Sequence, residues 1–217
     1  MATRLFSDLV NRLAPSVPGC PQPVILNYAR DAAIETCERT LAWRYEQQVL
    51  RLTQGIYDYP YEVPADTEVH GIITVSVNKM KVLPATLEQV TDRYPNYPGS
   101  ATSDQGTPQF VVHNNPDDFY VAPTPNGSPD YDLKMFLALK PLRAATGMDK
   151  SVMDELENVI MHGALQHLLV LPERTWTDRE LAAYHAKQYS FKSAERRARV
   201  NVGAGRAVMT ARMQPFG

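Results

Sequence analysis

Apolar residues recur three and four positions apart near both ends of the chain and at every second position in the middle. The two periods predict helices at the ends and strands between them. Over residues 3–14, Leu5, Phe6, Leu9, Val10 and Leu13 mark a short amphipathic helix. The run "PSVPGCPQP" ends it. A longer helix is predicted over residues 24–42, with Ile25, Tyr28, Ala32, Ala33, Thr36, Cys37 and Leu41 as its buried stripe. After Trp43 the period changes to two. "YEQQVLRLTQ" reads as a strand bounded by Gly55. In "EVHGIITVSVNKMKVLPA", Val69, Ile73, Val75 and Val77 alternate and "NKMK" supplies the turn. Thr86 is placed to cap a short helix, "TLEQVTDRY". Three more strands follow a Pro-rich loop: "QFVVHN", "DFYVAP" and "YDLKMFLAL".

Helical periodicity returns at Asp149. Val152, Met153, Leu156, Val159, Ile160, Ala164, Leu168 and Leu171 form one broad face, and Pro172 stops it. A last long helix is capped by Thr177 and expected to turn Tyr184, Phe191 and Ala194 inward. The tail "NVGAGRAVMTARMQPFG" keeps no sustained period. The 17 prolines are sparse in the two long periodic segments and dense between them. The expected fold class is α+β: a bundle of long α-helices with a central antiparallel β insertion and an extended C-terminal tail. The expected domains are residues 1–43 and 149–200 as a helical domain, 44–148 as a β insertion domain, and 201–217 as a docking arm.

Composition narrows the picture. A chain of 217 residues, 44% hydrophobic and 21% charged, can fill one core of ordinary soluble character. A net charge of −2 argues against a polyanion binder as a whole. No apolar run approaches the roughly 20 residues that span a bilayer. The N-terminus carries Asp8 and lacks the apolar core of a secretory signal, so export is not expected. Cys20 and Cys37 have no zinc-ligand spacing and read as reduced thiols.

Catalytic motifs are sparse. There is no phosphate-binding P-loop, no dinucleotide fingerprint and no G-x-S-x-G elbow. His162 and His167 are five apart and point away from each other on a helix, whereas a helical zinc pair needs four. His167 reads as a core or interface histidine. His70 and His113 fall in strands and could meet in space, with Asp117 as a partner. Adjacent Asp117 and Asp118 read first as turn residues. Tyr57, Tyr59 and Tyr61 could stack on single-stranded nucleic acid. Their neighbours Asp58, Glu62, Asp66 and Glu68 are acidic, however, and a packed strand corner is the better reading. The C-terminus alternates Arg206 and Arg212 with Val208, Met209, Met213 and Phe216, a composition suited to an interface anchor.

Four segments, taken in order, carry a resemblance to a known family. They are "CERTLAWR", "GIYDYPYEVPADTEVHGIITVSVNKMKVLPAT", "TPQFVVHNNPDDFYVAPTPNG" and "GALQHLLVLPERTWTDRELAAYHAKQYSFKSA". The arrangement resembles the head-to-tail adaptors of tailed bacteriophages, also called head completion, connector or tail tubular proteins. The resemblance implies a structural virion protein, not an enzyme, with no cofactor and no metal. It implies a homo-oligomeric ring, typically of twelve, in the neck between capsid and tail, assembled in the host bacterial cytoplasm. The implied partners are the portal protein, a tail or nozzle protein, and double-stranded DNA passing non-specifically through the channel; no membrane is involved. Portal binding carries over to Arg206, Val208, Met209, Arg212, Met213 and Phe216. The alternatives are another neck component, such as a stopper or tail terminator, or a small hydrolase using His70 or His113 with Asp117.

Overall fold

In the computed structural model, which describes residues 2–97, 105–127 and 130–202, the expected first helix is divided. Residues Thr3–Leu5 form strand β1, and helix α1 covers Ser7–Leu13. Helix α2 (Gln22–Thr40) follows. The expected strand after Trp43 is likewise split, into β2 (Arg44–Glu46) and β3 (Leu50–Leu52). Next come β4 (Asp58–Pro60), β5 (Thr67–Val77), β6 (Met80–Ala85) and helix α3 (Leu87–Arg93). The short strand β7 (Gln105–Gly106) precedes β8 (Phe110–His113), β9 (Asp118–Ala122) and β10 (Thr124–Pro125). The chain then runs through β11 (Tyr131–Pro141), β12 (Gly147–Asp149), α4 (Lys150–Leu168) and α5 (Arg179–Val202).

Several ends follow from local chemistry. The Thr86 hydroxyl accepts from the Gln89 N–H while the Gln89 side chain accepts from the Thr86 N–H, so α3 starts on a complete capping box. Asp149 caps α4 by accepting from the N–H groups of Ser151 and Val152. The β5–β6 hairpin turns on Asn78 and Lys79, both at positive φ. Two such residues in a two-residue loop match the twist of the flanking strands.

The main sheet has eight strands in the order β2-β11-β5-β6-β8-β9-β4, with β3 also paired to β11. It is mixed, because β6 and β8 run parallel. Register shifts in the β11–β5 ladder lie on either side of Leu137 and Ala138 and help the sheet curl. Tyr131, Leu133, Met135, Leu137 and Leu139 of β11 are buried. They share one core with Phe6, Leu9 and Leu13 of the α1 region, with Ile25, Ala29 and Ala33 of α2, and with Met153, Leu156 and Ile160 of α4.

The expected bundle of long helices carrying a central antiparallel β insertion is therefore corrected. The structure is a mixed α/β fold in which a large curled sheet is the main element and five helices lie against it. The physical reason is the inner face of β11. Its alternating large apolar residues need cover, and α2 packs directly upon it. The helices looked dominant in the sequence because their periodicity is long and unbroken, whereas prolines and bulges chop the strands. The expected extended tail, with Arg206, Val208, Met209, Arg212, Met213 and Phe216, lies outside the described residues.

The N-terminal segment meets the stretch that leads into α4. β1 pairs antiparallel with β12, and α4 contacts α1, α2 and α5. Arg4 reaches Asp154 at 2.7 Å and Glu157 at 2.9 Å, and Arg12 also pairs with Glu157. On α5 the buried residues are Ala182, Tyr189 and Ser193. The expected inward residues are turned out: Tyr184 is 53% and Phe191 68% exposed, and Ala194 is exposed as well. Gly163 explains the choice. A Cβ there would meet the Tyr189 ring at 3.0 Å and Ala32 at 3.2 Å, so a bare backbone and small neighbours let α5 close onto α4 through Tyr189.

Candidate functional site

The tyrosine corner is resolved by facing. Tyr59 and Tyr61 enter the main core, and their rings contact Phe119 at 5.8 and 5.0 Å. The Tyr59 hydroxyl accepts from the Thr53 N–H at 2.8 Å and lies 3.1 Å from the Ile56 carbonyl. Tyr57 turns the other way. It meets Tyr97 and Tyr120 edge-on, at 5.9 and 5.5 Å, in a small second core with Val90, Val112 and Ala122 under α3. Tyr57 and Tyr59 thus do not share a face. Burial raises Tyr59, Tyr61 and Tyr97 above the usual phenol range, as expected for hydroxyls enclosed by packing.

His113 is held by the Tyr61 hydroxyl, 2.8 Å from its Nδ1, and burial lowers its pKa with a further push from His70. Asp117 does not join them. Asn115 Oδ1 accepts from the N–H groups of Asp117 and Asp118, each at 2.8 Å, so this pair is engaged in a turn. His167 stacks on Tyr28 and approaches Glu35 at 3.7 Å. Cys20 and Cys37 are free, and Cys37 is buried within α2.

Sequence spacing missed one histidine pair. His162 of α4 and His185 of α5 bring their Nδ1 atoms to 2.7 Å. The Lys192 ammonium lies 3.0 Å from His162 Nε2. An ammonium only donates, so His162 Nε2 accepts and its ring proton sits on Nδ1, facing the His185 Nδ1 lone pair. Burial, then Lys192 and His185, lower His162 to about 4. The arrangement locks two neutral rings across a helix contact. Both sit on facing sides of α4 and α5, a pairing visible only once those helices are known to pack.

Among the described residues, no group of three or more His, Cys, Asp or Glu gathers as a metal site. A cavity of about 60 Å³ beside Trp43, Thr67 and Met148 is far smaller than the roughly 300 Å³ of a small-molecule site. A groove of about 360 Å³ between α1 and α2 offers Ser7, Asp8 and Asn11 but no histidine. What stands out is surface. Leu181, Tyr184 and Phe191 form an exposed apolar stripe on α5, and Leu83 and Leu87 are exposed near α3.

Residues 4–213 match the SU10 adaptor protein family. The chain belongs to that family. It is a phage structural adaptor, which places it among head-to-tail proteins and implies association with other components of that assembly. Among curated proteins, none matches the chain. In the adaptor, no helix among the described residues is long and apolar enough to cross a membrane. The match covers both the sheet and the helices, so the surfaces on α3 and α5 lie within it.

Proposed function

We propose that this adaptor is a ring subunit of the virion neck that joins the portal at the capsid vertex to the tail and continues the DNA channel. Its role is structural, not catalytic. The observation that carries the reading is the family match over residues 4–213, which spans nearly the whole chain. The exposed aromatic side chains Tyr184 and Phe191 on one side of α5 support it, since aromatic residues are enriched at protein contacts. A stopper or tail terminator, the second neck reading, finds no particular support in three helices of 19 residues or more.

Residues 201–217 act as the docking arm. Arg206 and Arg212 supply charge, and Val208, Met209, Met213 and Phe216 supply apolar anchors for the portal. Double-stranded DNA passes without being read, which fits a chain with no base-reading motif and a net charge of −2. The test is binding of purified chain to portal rings, followed by electron microscopy of the mixture. A chain ending at Gly205 is expected to lose the portal while keeping its fold. Undiminished portal binding by the shortened chain would reject the arm, and failure of the full chain to bind would reject the adaptor role.

A further inference from the structure

The charges of the molecule are unevenly divided. Residues 53–127 hold nine Asp and Glu against three Lys and Arg, whereas residues 186–202 hold five Lys and Arg against one Glu. The acidic side is the lobe built from β4, β8, β9 and α3. Asp58, Glu88, Asp92 and Asp117 are all exposed there. Of the described acids in residues 53–127, Glu68 alone forms an ion pair, with Lys140 at 3.1 Å. Two exposed apolar side chains stand beside these acids, Ile56 at 45% near Asp58 and Leu87 at 44% next to Glu88.

The basic side is α5. Leu181, Tyr184 and Phe191 are spaced by three and seven residues, so they fall on one side of the helix. That side is opposite the buried Ala182, Tyr189 and Ser193. Lys187 and Arg199 flank the stripe and are exposed, Arg199 also pairing with Glu195 on the same helix at 2.7 Å. α5 packs on α4 and α2, while β4 is the far edge of the sheet from β2 and β11. The two surfaces therefore belong to different elements of the subunit.

We propose that the outward face of α5 in one copy docks on the acidic lobe of the next copy. The inference rests on the ring reading and assigns its contact. Two unlike surfaces on one subunit make a heterologous interface, which propagates head to tail and closes if the rotation is right. Cations meet unpaired carboxylates, and Tyr184 and Phe191 meet Ile56 and Leu87. Complementary potentials set register and speed encounter, while the apolar centre supplies desolvation energy. DNA is the weaker occupant for α5, because phosphates use its cations but leave Phe191 and Tyr184 uncovered, and DNA cannot approach the acidic lobe. A second copy covers both surfaces at once.

The test uses full-length chain with portal, and reads oligomeric state by native mass spectrometry at low and high salt. One variant carries Lys187→Glu with Arg199→Glu, the other Glu88→Lys with Asp92→Lys. Each alone is expected to weaken assembly by about tenfold or more at low salt. An equal mixture is expected to assemble again, because every contact in an alternating ring then pairs opposite charges. Rings from either variant at wild-type strength, or a mixture that fails to recover, would overturn the contact and leave the ring reading standing. Wild-type chain that stays monomeric beside portal would remove both. Loss of binding to a short DNA duplex by the α5 variant, with assembly unchanged, would make α5 the channel face and overturn the proposal.

Discussion

Gly147 sits where β12 runs beside β1, and a Cβ there would lie 2.3 Å from the Arg4 carbonyl oxygen. Backbone cannot yield as a side-chain tip can, so any larger residue must part the two strands. Gly147→Ala is expected to cost about 1–3 kcal/mol, the usual range for forced overpacking. Urea unfolding measures it, and an unchanged midpoint would show that the pairing contributes nothing. The His162–His185 contact gives a second prediction at this scale. Both rings have lowered pKa values, His162 to about 4, so the folded state prefers them neutral. The unfolded chain takes up protons near the ordinary histidine value of about 6.5. Stability from this pair is therefore complete above that pH and declines as pH falls toward about 4. His162→Leu should flatten the loss between those limits in a pH series of melting temperatures. Glu157 acts lower down, because Arg4 and Arg12 hold its carboxyl below the usual range.

Elements were legible where one segment carries its own signal. α2 and α4 show an unbroken apolar stripe, and most of it is buried as read, with Tyr28, Leu41, Val152 and Leu171 half-buried. Thr86 and Asn78–Lys79 carry their cap and turn in the local sequence, and both form. β1, β7, β10 and β12 were not legible, since two or three residues hold no period and their partners lie far away. The parallel β6–β8 pair has no sequence mark either. The inversion of α5 has a different cause. Spacing tells which residues share a face, but not which face turns in. Tyr184 and Phe191 do share one, and the core instead takes Tyr189 because Gly163 and Ala32 leave room for it. Among candidate site residues, Asp117 sits in the turn that its sequence predicts, while the His162–His185 pair is visible only through the α4–α5 contact. The hairpin yields a prediction at this scale. Lys79 holds φ of 68°, where a Cβ crowds the backbone. Lys79→Gly is expected to stabilise the chain by about 1 kcal/mol, the strain of one left-handed residue less glycine's entropy. Thermal unfolding checks it, and a lower midpoint would mean the Lys79 side chain makes a contact worth more than the strain.

For the whole molecule, the decisive feature is that one core joins elements far apart in sequence. Leu137 of β11 and Leu156 of α4 are both fully buried and belong to the same cluster. Removing three heavy atoms at either site leaves a cavity and forfeits burial, so Leu137→Ala and Leu156→Ala are each expected to cost about 2–5 kcal/mol. Because the core is continuous, both should shift one and the same transition, seen alike by tyrosine fluorescence and by far-ultraviolet dichroism. The lobe under α3 is held by a separate, smaller cluster around Val90 and Tyr97. Local opening is easiest where buried contacts are few, so its amides should exchange before those of β11 and α4. Val90→Ala should then speed exchange in α3, β8 and β9 while moving the main transition little. If instead residues 44–148 melted apart from the helices, with Leu137→Ala and Leu156→Ala shifting different transitions, the sheet and the helices would be two units joined by contact. The covering role assigned to α2 would then be lost.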